Sequence, residues 1–79
     1  SASTILFWRG TAYLGLKKYE DAFRDFQRIV EMFPKDGNSW CHRALALAGQ
    51  KKFKEALKSF DESGLQAAVD RAVATVLGE

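Results

Sequence analysis

The sequence carries one cysteine, one histidine and one proline in 79 residues. A lone cysteine excludes an internal disulfide framework, and with a lone histidine it leaves too few ligands for a Cys/His zinc site. Charge of one sign is also scarce. Twelve Lys and Arg stand against ten Asp and Glu, a net charge of +2. Nucleic-acid binding calls for a strongly basic, clustered face, so no nucleic-acid partner is expected. No apolar run approaches the roughly 18 residues of a membrane span, and no basic segment followed by an apolar one opens the chain. The expectations are no membrane insertion and, with no signal segment in view, a cytoplasmic setting. The chain also lacks a glycine-rich phosphate loop, a nucleophile–base constellation and an acid pair in an apolar site. Neither an enzyme nor a bound cofactor is expected.

What is present is an ordinary globular composition, 47% hydrophobic and 28% charged. So short a chain buries only about 60% of the surface that its unfolded state exposes. Without disulfides or a metal, it needs very regular helix packing, an oligomer or a longer parent chain. The small polar start Ser1-Ala2-Ser3 adds to the expectation of a fragment cut from something larger.

Apolar spacing is helical throughout. Ala22, Phe23, Phe26, Ile29, Val30 and Phe33 recur at i, i+3/i+4 and i+7; Ala56, Leu57 and Phe60 begin the same pattern. Leu65, Val69, Ala72, Val73, Val76 and Leu77 form a further stripe, with Gln66, Asp70, Arg71 and Thr75 on its wetted side. Ser3 can cap a helix from about Thr4 to Leu14, with Gly15 as a left-handed C-cap. Glu20 and Asp21 suit the first turn of a second helix, which stops before Pro34. Asn38 or Ser39 opens a third that ends at Gly49. Lys54 and Glu55 open a fourth that ends near Gly64, and a fifth runs from about Leu65 to Leu77. The class is all-α: five antiparallel helices on short loops.

The chain also resembles itself. A shift of 34 residues lays Arg9 on Arg43, Ala12 on Ala46, Gly15 on Gly49, Lys17-Lys18 on Lys51-Lys52, Ala22 on Ala56 and Phe26 on Phe60. Seven identities between residues 4–30 and 38–64 exceed the roughly two expected of ordinary composition. A helix–turn–helix period of this length is the mark of a repeat solenoid.

With Gly10, Tyr13, Tyr19, Ala22, Phe26 and Pro34 in one unit, and Trp40, Ala44, Phe53, Ala56 and Phe60 in the next, the chain resembles the tetratricopeptide repeat family. The resemblance implies a right-handed α-α superhelix forming a single domain over 1–79. Its parts would be a first repeat at about 3–36, a second at about 37–64 and a capping helix at about 65–77. There are three departures. Leu6 replaces the usual Trp, Arg9 and Arg43 replace the usual Leu, and Gly64 cuts the second unit's last helix short.

In this family the first helix of each unit lines a concave groove that takes peptides or helices. The resemblance implies Thr4, Phe7, Trp8, Thr11 and Leu14 from one unit, and Asn38, Cys41, His42, Leu45 and Ala48 from the other. That surface is apolar and nearly uncharged. The Lys, Asn and Arg clamp that holds a C-terminal carboxylate in chaperone-binding members is replaced here by Phe7, Trp8, Thr11 and His42. The implied partner is a protein whose apolar segment or amphipathic helix lies in the groove. Against this stands plain packing, the usual fate of such side chains: Phe7, Trp8 and Leu45 suit contact with a neighbouring repeat or with the chain's own capping helix.

Cys41 and His42 are adjacent and project about 100° apart on a helix, so they do not make a nucleophile–base pair. Arg9 and Arg43 are expected to lay their stems over the core, with their heads in water or against an acid. Lys17, Lys18, Lys51, Lys52, Lys54 and Lys58 read as a solvated edge near the turns, diluted by Glu20, Asp21 and Glu55. The leading function is therefore a protein–protein interaction module. The alternative is a structural segment that self-associates, as a homodimer with its last helix displaced or swapped, or that packs against neighbouring repeats of a larger chain, since a solenoid usually needs about three units.

Overall fold

Pro34, the Lys-Lys turns and Gly64 divide the described residues into five α-helices: α1 (Ala2–Gly15), α2 (Tyr19–Met32), α3 (Gly37–Gly49), α4 (Phe53–Glu62) and α5 (Leu65–Leu77). They belong to a computed structural model that describes residues 1–78, except for the side chains of Gln66, Ala68 and Val69. The placements expected for Gln66 and Val69 therefore lie outside the described residues. Helices α1 and α2 form one antiparallel hairpin and α3 and α4 a second, and α3 packs back onto α2. The radius of gyration is 13.6 Å, against about 12 Å for a compact chain of this length. Stacking hairpins in one direction gives that elongation.

The two hairpin turns share the bonds that close them. Lys18 N–H donates to the Tyr13 carbonyl at 2.8 Å, and Lys52 N–H to the Leu47 carbonyl at 2.9 Å. Lys17 and Lys51, at φ 60° and 63°, take the left-handed position of each turn. This corrects the expectation of Gly15 as a left-handed C-cap. Gly15 and Gly49 are the last helical residues of α1 and α3, and the reversal falls two residues later. The cap of α1 is Ser1, whose Oγ accepts from Thr4 N–H, rather than Ser3. Asp36 precedes α3, with Asn38 and Ser39 already inside its first turn.

The core lies between the hairpins. Ala22, Phe26 and Ile29 from α2 meet Ala46 from α3, with Leu6, Phe7, Tyr13, Leu14 and Phe23 packed around them. Phe26 is fully buried, a burial that contributes roughly 1.5–3 kcal/mol for such a side chain. Small residues set the spacing. A Cβ on Gly10 would sit 2.8 Å from the tip of the Phe26 ring, so α1 and α2 approach as closely as a bare backbone allows. A second, smaller cluster joins Ala44 and Leu47 of α3 to Ala56 of α4.

The last helix departs from its expected packing. Ala72, Val73, Val76 and Leu77, four of the six residues of the stripe read as buried, are exposed; Val76 is 85% open. Helix α5 leaves α4 through Gly64, which is left-handed at φ 76°.

Candidate functional site

The sequence-predicted groove residues lie on α1 and α3, and the structure gathers them into two groups. The first surrounds a cleft of about 270 Å³ between the N-terminal halves of α1 and α3, where Thr4, Phe7, Trp8 and Asn38 meet Ser3, Ile29, Asp36 and Ser39. Trp8 stands edge-on to Phe7, with ring centroids 5.6 Å apart, and is 65% exposed. Phe7 is half-buried. Its ring meets Phe26 at 5.7 Å and His42 at 4.8 Å, so it roots the exposed indole in the core.

His42 bridges the two hairpins, lying 4.8 Å from Phe7 and 5.3 Å from Phe26. Its Nδ1 is 2.7 Å from the Asn38 carbonyl. A carbonyl can only accept, so Nδ1 carries the hydrogen and Nε2 is the remaining polar edge. Thr11 Oγ1 donates to the Phe7 carbonyl one turn back, at 2.8 Å, which ties its hydroxyl to its own helix. Leu14 is half-buried against the core.

The second group lies at the other end of the stack. Cys41, Leu45 and Ala48 of α3 join Ala44 and, from α4, Phe53, Ala56, Leu57 and Phe60 around an apolar groove of about 430 Å³. Sequence reasoning placed Cys41, Leu45 and Ala48 on a binding face but missed the contribution of α4. The signal was available. Phe53, Ala56, Leu57 and Phe60 lie 34 residues after Tyr19, Ala22, Phe23 and Phe26, the residues of α2 that help seat α3.

The two arginines at the usual Leu places hold their hairpins together. Arg9 Nε and Nη2 donate to the two carboxylate oxygens of Asp25 at 2.9 and 2.6 Å. That bidentate hydrogen bond and the carboxylate's charge raise the Arg9 pKa above its ordinary value. The same 16-residue reach takes Arg43 to Ser59, a hydroxyl where the first hairpin has a carboxylate. Arg43 Nε donates to Gln27 Oε1 at 2.6 Å, and its guanidinium lies 4.8 Å from the centre of the Phe23 ring and 5.4 Å from that of Trp40. Burial lowers the Arg43 pKa. The six lysines of the expected edge are all exposed.

Among the described residues, no group of three or more His, Cys, Asp or Glu is placed to hold a metal ion. Among them, too, no helix is long and apolar enough to cross a membrane.

The architecture is that of an all-helical repeat solenoid, built from α-hairpins stacked in register. The family model for the tetratricopeptide repeat matches residues 3–36, the stretch that holds α1, α2 and Pro34. Over those residues the first hairpin is similar to a tetratricopeptide repeat. No curated protein and no solved structure matches the chain.

Proposed function

We propose that this chain is a non-catalytic interaction module that holds a peptide or amphipathic helix of a partner protein against the α1–α3 face. In this reading residues 37–64 are a second repeat and residues 65–77 its terminal helix, and the setting is the cytoplasm, where Cys41 stays reduced. Trp8 is the carrying observation. A large ring, mostly exposed at the mouth of a cleft and backed by Phe7, is the form of an interface anchor. Asn38 and His42 Nε2 supply polar register, while Thr11 and Leu14 extend the surface along α1.

The test is a displayed library of helical peptides selected on the chain, followed by titration against Trp8→Ala. Trp8 is exposed, so the variant keeps its fold. Selected peptides are expected to lose about thirtyfold in affinity, the roughly 2 kcal/mol of an interface hot spot. Peptides that bind the variant as well as the parent chain refute the reading.

A further inference from the structure

We propose that the apolar groove on α3 and α4 is the seat for helix α5 of a second copy of this chain, and that two copies exchange these helices reciprocally. The repeat identifies what the groove is. Its lining residues Cys41, Ala44, Leu45, Ala48, Phe53 and Phe60 are the 34-residue counterparts of Phe7, Gly10, Thr11, Leu14, Tyr19 and Phe26. In the first hairpin the counterpart surface is closed by α3. Phe26 is fully buried there under Ala46 and His42, and the Tyr19 ring occupies the space where a Cβ of Gly49 would be. Among the described residues no helix takes that place in the second hairpin, and Leu45, Phe53 and Leu57 are each more than half exposed. The seat is thus a continuation of an interface already present within the chain, and it fits an apolar-faced helix of about α3's length.

The chain carries such a helix. Helices α3 and α5 are both 13 residues long. Ala72, Val73, Val76 and Leu77 form an apolar strip along one side of α5, and it lies open. The strip covers about 8 Å of helix, and the groove from Cys41 to Ala48 about 10 Å, so the two match in length.

The return of α5 onto its own hairpin has lost its footing. Helix α2 has 14 residues and buries Ile29 and Val30 in its last turn, where the chain bends back into α3. Helix α4 has 10 residues, and the counterparts of Ile29 and Val30 are Ser63 and Gly64. Four residues separate α2 from α3, and only two separate α4 from α5. Both halves of one contact are exposed on one chain without meeting. A two-fold exchange satisfies both at once and leaves no open end, which is the usual form of a closed homodimer.

The experiment is sedimentation equilibrium of the 79-residue chain from micromolar to millimolar concentration. Leu57→Asp is introduced in the groove and Val76→Asp on α5. Both positions are exposed in a single chain, and circular dichroism checks that each variant keeps its helix content. The expected result is twice the mass of one chain for the parent and single-chain mass for either variant. An equimolar mixture of the two variants regains dimers, because the groove of one and the helix of the other are intact. A second readout pairs Cys41 in the groove with Val76→Cys under mild oxidation, which is expected to give disulfide-linked dimers on a non-reducing gel. A parent that stays monomeric at every concentration overturns the proposal, whether its groove takes its own α5 or awaits a different helix. So does a dimer that survives Leu57→Asp. Trp8→Ala is expected to leave the dimer unchanged, which separates a failure here from a failure of the α1–α3 cleft.

Discussion

Gly15 and Gly49 hold the same place in consecutive hairpins, each the last residue of its helix, yet the structure predicts opposite effects of replacing them by alanine. A Cβ on Gly15 would meet nothing within 4 Å. Gly15→Ala therefore collects only the helix-propensity gain, about 0.5 kcal/mol. A Cβ on Gly49 would lie 2.2–2.4 Å from Cδ1, Cε1 and Cγ of Tyr19. Carbon pairs are most stable at about 3.5–4.0 Å, so the ring must retreat by more than 1 Å. Its Cγ lies on the χ2 axis, so turning the ring about that axis does not clear the space, and either Tyr19 leaves its χ1 rotamer or the start of α2 moves away from α3. Overpacking of this kind costs about 1–3 kcal/mol, which outweighs the propensity gain and leaves a net loss of about 1–2 kcal/mol. Urea unfolding followed by circular dichroism measures both. In a domain of this size, 1 kcal/mol moves the melting temperature by about 4–8 °C, so the two variants separate clearly. The double variant Tyr19→Ala/Gly49→Ala is expected to lose less than the sum of its parts, because the clash is shared. Two alanine variants that shift the midpoint in the same direction refute the argument.

Two further substitutions test the turns and the core. Lys17→Gly and Lys51→Gly each relieve a side chain at positive φ and are expected to stabilise the chain by about 1 kcal/mol apiece, read as a higher urea midpoint; unchanged midpoints contradict the shared turn geometry. Phe26→Ala opens a cavity between the hairpins and is expected to cost about 3–5 kcal/mol, and a midpoint equal to the parent's places Phe26 outside the core.

Much of the fold was legible because local and repeating patterns agree. The spacing of Ala22, Phe26, Ile29 and Val30 names the buried face of α2, and all four are buried. Pro34 and Gly64 mark two of the links, and the 34-residue shift foretells that the turns at Lys17 and Lys51 share one geometry. The errors arise where a residue has two possible uses. Gly15 suits a left-handed cap by type, but the Schellman-like bond from Lys18 N–H to the Tyr13 carbonyl fixes the reversal at Lys17. Gly49 is small because Tyr19 needs its space, a reason no local pattern contains. The stripe on α5 has the spacing of a buried face, but periodicity reports that a face is apolar and not which chain covers it. The candidate site was half legible for a related reason. Trp8, Phe7 and Asn38 come together around one cleft, as helical spacing on α1 and α3 allows. Cys41 and Leu45 instead face a groove completed by α4, and only the comparison of one unit with the next reveals that.

Three differences between the hairpins fall on the second helix of each or just after it, and they share a direction. Asp25, Ile29 and Val30 on α2 become Ser59, Ser63 and Gly64 in and just after α4. The first loss takes the carboxylate from the arginine that clasps the hairpin. Arg43 is left to a hydroxyl, to Gln27 of the preceding hairpin and to the Phe23 ring, two partners that lie on α2 rather than α4. The other two losses remove the apolar turn on which the next helix would settle. The first hairpin is thus held by its own ion pair and closed by α3, whereas the second leans on the first and presents an open seat. A repeat with these properties has its stability at one end and an unfilled apolar face at the other. In a quasi-one-dimensional stack each unit draws stability from its neighbours, so whatever fills the seat stabilises α4 directly. Hydrogen exchange is expected to show this gradient in the isolated chain, with amides of α2 protected longest and those of α4 and α5 shortest. At concentrations where copies pair, protection of α4 should rise toward that of α2. Uniform protection across the five helices would mean that the second hairpin is not the weaker one, and the losses at Ser59, Ser63 and Gly64 would need another explanation.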